Sequence, residues 1–233
     1  PPQYYIDAFK ALCGASGASG ASGAGVDIYD YEILYYCEAN DNEKVDKYNL
    51  GNFDFFDAIN GKDINIEEFS KEFPEGTFWW LKNHYTNGAV GLIKTSIQLF
   101  KTCMENNYSQ ILLMEDDCVF TEEINNIQSY IDLVPENWDM LYFGGNHYGT
   151  NSLHTVNEKI VRLSMSHMAH CIAIKSHMFK VILERLEKFD RECDVVYADL
   201  QKEYVVYCGY PSIAKQKGGH SDIQGYHTDF EWC

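Results

Sequence analysis

Three consecutive acids, Glu115, Asp116 and Asp117, follow directly on the apolar run QILLM (110–114). Neighbouring carboxylates repel, so such a triplet at the end of a buried strand calls for a counter-charge. Side chains alternate along extended backbone, which would turn Glu115 and Asp117 to the same side. Two oxygen donors so placed suit a hard divalent cation, Mn2+ or Mg2+, that keeps other positions for water and phosphate oxygens. Beside a nucleotide diphosphate, such a cation offsets the charge that grows on a departing phosphate. The plainer alternative is a solvated acidic turn entering a helix, since acids also favour helix N-termini.

The elements that must hold these acids can be read from periodicity. EILYYC (32–37) and FDFFDAI (53–59) read as strands, the second followed by an Asn60-Gly61 turn. Between 88 and 103, Ala89, Leu92, Ile93, Ser96, Leu99, Phe100 and Cys103 recur at helical spacing. QILLM suits a strand covered on both faces. Thr121 is placed to cap a helix with Glu122 and Glu123 in its first turn and Ile124, Ile127, Ile131 and Val134 inward. DMLYFGG (139–145), MAHCIAI (168–174) and EYVVYCG (203–209) read as further strands, with a helix capped by Ser176 between the last two. Strands alternating with helices predict one α/β domain over 26–233, a mainly parallel mixed sheet flanked by helices. In such sheets ligands bind beyond the carboxyl ends of the strands, which is where the acid triplet falls.

Composition narrows the partners. The 233 residues carry a formal charge of −17, which repels nucleic acid and anionic membrane surfaces. A nucleotide ligand stays compatible if a cation neutralises its diphosphate. No apolar run approaches the roughly 20 residues that span a bilayer, so neither a membrane span nor a signal peptide is expected. The eight cysteines show no zinc-like spacing, and several sit inside apolar runs. They are expected to be reduced, buried thiols of an intracellular (cytoplasmic) protein. Residues 14–25, GASGASGASGAG, form a linker-like repeat, and residues 1–25 are set apart from the functional reading.

The ordered set of motifs resembles glycosyltransferase family 25, which includes lipopolysaccharide and collagen-type galactosyltransferases. The resemblance rests on FDAINGKD ending at Asp63, YTNGAVGLIKTS (85–96), ILLMEDDCVF (111–120), PENWDMLYFGG (135–145), CDVVYADL (193–200) and YPSIAKQKGGHSDIQG (210–225). The residue usage, rich in Asn, Ile, Lys and Tyr, suggests a giant-virus relative. The resemblance implies a GT-A-like fold and transfer of a hexose, from a UDP-sugar, to a hydroxyl on a glycan or protein with inversion. It assigns Gly88, Gly91, Ser96 and Asp116 to the donor, Glu115 and Asp117 to the metal, and Asp194, with Asp199 in reserve, to the base. By analogy at the level of fold, His220 would be a third metal ligand, and Ser221, with Asp222 and Gln224 beside it, would contact donor or acceptor.

Each assignment has a structural counterpart. Asp194 is also a good helix cap. His167 and His170 lie three apart, so a shared metal is not expected, and His170 reads as a core histidine. Trp79 and Trp80 could stack on a sugar, though packing is the commoner use. The family's opening arginines are missing from ILYYCEAND (33–41), Ala89 stands where Glu is common, and Ile97 where His is. Those departures fit an alternative of another class, a catalytically silent sugar-binding module on the same fold. A metal-dependent nuclease is disfavoured by the acidic charge.

Overall fold

The computed structural model describes residues 32–37, 53–80, 87–115, 117–147, 153–221 and 226–228, with the backbone alone for 32–37, 53–55, 220–221, 226 and 228. Residues 1–25, the expected linker, lie outside them. Strands β1 (Glu32–Cys37) and β2 (Phe53–Asp57) are followed by a short helix α1 (Ile66–Phe69) and the long helix α2 (Asn87–Glu105). Next come β3 (Gln110–Met114), β4 (Cys118–Phe120) and, after a 3-10 turn, α3 (Ile127–Ile131). Six strands follow: β5 (Met140–Tyr142), β6 (Asn146–His147), β7 (Leu153–Thr155), β8 (Ile160–Leu163), β9 (Ser166–His167) and β10 (Cys171–Lys175). Helices α4 (Ser176–Leu186) and α5 (Cys193–Leu200) then lead to β11 (Val206–Gly209), β12 (Ala214–Gln216), β13 (Gly219–Ser221) and β14 (Tyr226–Thr228).

Eight of the strands make one mixed sheet in the order β2-β1-β3-β10-β5-β11-β8-β7. The α/β class and the mixed sheet are as expected, but the balance of strand directions differs. Three pairings are parallel, β1 with β2, β1 with β3 and β5 with β11. Four are antiparallel, because β10 inserts reversed between β3 and β5, and β8 reversed between β11 and β7. Continuous apolar runs report burial on both faces and say nothing of direction, so the expected parallel majority had no local marker.

The pleat sorts residues into two cores. Ile111 and Leu113, Ile172 and Ile174, and Met140 and Tyr142 face the side packed by α2, α4 and α5. Leu112 and Met114, Cys171 and Ala173, and Leu141 face the other side with Ile127, Tyr130, Ile131 and Trp138. Full burial of a side chain of this size is worth about 1.5–3 kcal/mol, which explains why QILLM specifies its register so firmly.

Helix α2 buries Ala89, Val90, Ile93, Leu99, Phe100 and Cys103 and ends where Asn107 turns left-handed at φ 56°. Thr121 caps as expected, its hydroxyl accepting from the Glu123 amide at 3.3 Å. Ser176 does not cap: Lys175 holds that position, and Ser176 is the first helical residue, its amide donating to the Ser109 carbonyl. Trp80 is buried and donates to the Phe189 carbonyl at 3.1 Å, whereas Trp79 is 58% exposed.

Candidate active site

The acid triplet stands at the carboxyl edge of β3. The Glu115 amide extends the strand's pairing by one step, donating to the His170 carbonyl at 3.0 Å. The chain then turns, with the Cys118 amide donating back to the Glu115 carbonyl. Asp117 therefore sits in a turn, not on the extended backbone expected for it. β12 secures that turn: the Lys217 amide donates to the Asp117 carbonyl at 2.8 Å, and Gln216 Nε2 donates to Asp117 Oδ2 at 2.6 Å. Both carboxylates bear on one neighbour, Cys118. Its thiol is pushed well up by a hydrogen bond with Cys171, then by burial, then by the charges of Cys171, Glu115 and Asp117.

A third carboxylate reaches the same neighbourhood from α5. Asp194 lies in that helix's first turn, two positions past the cap, which is Glu192. The Met168 amide donates to Asp194 Oδ2 at 3.2 Å, and His167 Nδ1 stands 3.7 Å from the same oxygen. Beneath them the Cys193 thiol is raised to about 12, chiefly by burial; the Ser96 hydroxyl opposes this, and the charges of Asp194, Glu115 and Glu192 add to it. One buried thiol thus feels both Glu115, at the end of β3, and Asp194, on α5. The sheet's carboxyl edge brings together acids almost 80 residues apart in sequence.

The floor of this region is built from polar groups facing inward. Gln201 accepts from the Ser166 amide at 2.8 Å and donates to the Ser166 carbonyl at 2.7 Å, pairing with that residue as a strand would. Ser166 Oγ meets His147 Nδ1 at 2.7 Å. His170 is fully buried, as expected for a core histidine, and burial pushes its imidazole down to about 4, the Ala214 backbone opposing and His147 adding. Neither of its ring nitrogens has a hydrogen-bond partner of good geometry among the described residues.

Other expected site residues have different surroundings. Ser96 is buried against Cys193, with Oγ 3.5 Å from Sγ, so its hydroxyl faces the core. Gly91 is a packing glycine: a Cβ there would stand 2.6 Å from the Ile59 carbonyl oxygen. Gly88 is half-buried in the first turn of α2. Asp199 is held by cations, with Arg191 Nη1 on one oxygen, Lys202 Nζ 3.0 Å from the other and Arg185 at 3.7 Å. Burial raises its pKa, but Lys202 and Arg191 outweigh that and lower it overall, so it is tied as an ion-pair centre and poorly suited to be the reserve base.

His220 and Ser221 lie in β13, their backbones paired with His227 and Tyr226; their side chains, with Asp116, Asp222 and Gln224, lie outside the described residues. Among the described residues no group of three or more His, Cys, Asp and Glu side chains converges on a metal position. What the residues offer a divalent cation is two hard oxygen donors, Glu115 at the end of β3 and Asp117 in the turn that follows. That donor chemistry fits the expected ion. Gln201 and Gln216 were not singled out from the sequence, and His167 was weighed there only as a metal ligand and set aside; their contacts are made across the fold and leave no local spacing to read.

In open α/β sheets ligands bind beyond the carboxyl ends of the strands, which is where these acids stand. The chain belongs to glycosyltransferase family 25 (LPS biosynthesis protein), whose family model matches residues 42–226. Its family is one of glycosyltransferases, enzymes that work between a sugar donor and an acceptor. No curated protein matches it. Among solved structures it is similar to mannose-1-phosphate geranyltransferase from Thermus thermophilus, with 10% identity, 84% of this chain and 59% of that one covered, and a TM-score of 0.36. It is also similar to A197 from STIV, with 13% identity, 85% and 86% covered, and a TM-score of 0.35. The chain therefore spans under two thirds of the first of these. No helix among the described residues is long and apolar enough to cross a membrane.

Proposed function

We propose that this glycosyltransferase moves a hexose from a UDP-sugar to a hydroxyl of a glycan or protein, with inversion, in a reaction that depends on Mn2+ or Mg2+. The observation that carries the reading is that one short segment ties the two acids to the same edge, the Met168 amide donating to Asp194 and the His170 carbonyl accepting from the Glu115 amide, with Asp117 held by Gln216 in the turn beyond. Glu115 and Asp117 would hold the cation, whose chemistry is to offset charge on the leaving diphosphate. Gln216 orients the Asp117 carboxylate from β12, so that oxygen keeps its place without reorganisation. Asp194, partly exposed on the same edge, takes the proton from the acceptor hydroxyl. As that oxygen bonds to the anomeric carbon from one face, the bond to the UDP phosphate oxygen breaks on the other. Holding both partners at one sheet edge supplies much of the acceleration by orientation.

The test is calorimetric titration of UDP with Mn2+ and then with chelator, on the native chain and on Asp117→Ala. Binding that needs the metal and disappears in Asp117→Ala supports the donor site, and a proton spectrum of the product's anomeric centre then reads the stereochemistry. Retention in the product would remove the inverting step and the base role with it. Glycan binding indifferent to both metal and UDP would instead favour the silent module.

A further inference from the structure

Between β8 and β10 the chain passes through a short strap, Ser166 to Met168, that α5 and its C-cap grip at two points. At one end the Gln201 side chain takes both the amide and the carbonyl of Ser166. At the other, Asp194 takes the amide of Met168. Met168 has φ 65°, a left-handed conformation that costs a side chain with a Cβ and that persists only where its surroundings impose it. Here the imposed turn aims the Met168 amide at Asp194 and sets His167 beside the same oxygen, Nδ1 3.7 Å from Oδ2. Both side chains keep partial access to solvent, 24% for His167 and 35% for Asp194. His147, on the neighbouring strand β6, fastens the strap from its other edge through Ser166 Oγ.

We propose that His167 is the positioning residue for Asp194, its imidazole and the Met168 amide together fixing the carboxylate in the orientation from which it meets the acceptor hydroxyl. The inference rests on Asp194 being the base and deepens that reading. A carboxylate on the first turn of a helix has two free torsions. The Met168 amide on one oxygen, with the His167 ring 3.7 Å from that same oxygen, leaves the other oxygen with a defined direction, and that direction counts only when the proton moves.

The experiment compares the full chain with His167→Ala, His167→Asn and Asp194→Asn, reading UDP release from UDP-galactose and UDP-glucose with Mn2+, thermal unfolding, and the 15N resonances of the His167 ring. Expected are a kcat about 10-fold or more lower in His167→Ala with the donor KM and the unfolding midpoint nearly unchanged, and substantial recovery in His167→Asn, whose amide nitrogen reaches where Nδ1 stood. The His167 ring resonances should move in Asp194→Asn, a readout that needs no turnover. Loss of activity in Asp194→Asn with native kcat in His167→Ala overturns the inference and leaves the base assignment standing. Native turnover in Asp194→Asn overturns both. Unmoved ring resonances in Asp194→Asn overturn the pairing itself.

Discussion

His170 carries a prediction that can be worked through in numbers. Its imidazole is fully buried, its ring nitrogens lack partners of good geometry among the described residues, and burial lowers its pKa from 6.5 to about 4. In the unfolded chain the ring takes up a proton below the ordinary value; in the folded protein it does so only near the lowered one. Between those two values the unfolded state binds more protons, so stability falls as the pH falls. A tenfold difference in proton affinity between the two states is worth about 1.4 kcal/mol. Most of the window is crossed between about pH 7 and about pH 4.5, for a loss of roughly 2 kcal/mol. Replacing the ring by an apolar side chain, His170→Leu, removes this contribution and leaves nothing polar to satisfy. Urea unfolding of both proteins at the two pH values gives the comparison. The native chain should lose roughly 2 kcal/mol more than the variant, and at neutral pH the variant should be at least as stable. Carboxylates such as Asp199, whose pKa is lowered, also lose stability in acid, but they do so in both proteins and drop out of the difference. Equal losses in the two proteins would refute a buried neutral histidine.

Gly91→Ala should destabilise the fold by about 1–3 kcal/mol, because the added Cβ meets the Ile59 carbonyl and not a movable side chain; a native unfolding midpoint would refute the packing role. Asp199→Asn should cost about 1–2 kcal/mol by leaving Arg191 and Lys202 without their carboxylate, with turnover of the folded enzyme unchanged. A collapse of kcat at an unchanged midpoint would make Asp199 the base after all.

The sequence made some elements plain and left others without a mark. QILLM is β3 residue for residue, and the helical spacing over 88–103 became α2 with one residue added before and two after. Both patterns are local, since they report which faces of an element are buried. The reversed direction of β10 is not local: Cys171 to Lys175 reads the same whether it runs with β3 or against it. The acid triplet stood out as a candidate site because three like charges follow one another directly after an apolar run. His167 was not, because a lone histidine in a strand-like run gives no hint that a carboxylate 27 positions later will fold beside it. Asp199 is the opposite case. It lies in the same motif as Asp194, and only the folded chain shows Arg185, Arg191 and Lys202 around it.

The strand order sets a timetable for biosynthesis. β3, an interior strand third in the sheet order, has β1 on one side, but its other neighbour is β10, and β5 in turn needs β11. Ribosomes add about 5–20 residues per second, so the apolar QILLM emerges roughly 5–20 s before β11 is made and the centre of the sheet can close. During that interval a strand buried on both faces in the finished protein is a template for mispairing with other nascent chains. The three acids that follow it are what a gatekeeper at such a strand needs to be: charged, contiguous and placed at its end. The residues proposed to hold the cation in the finished enzyme would then already have served the chain once, by keeping this interior strand from aggregating before its partners arrived.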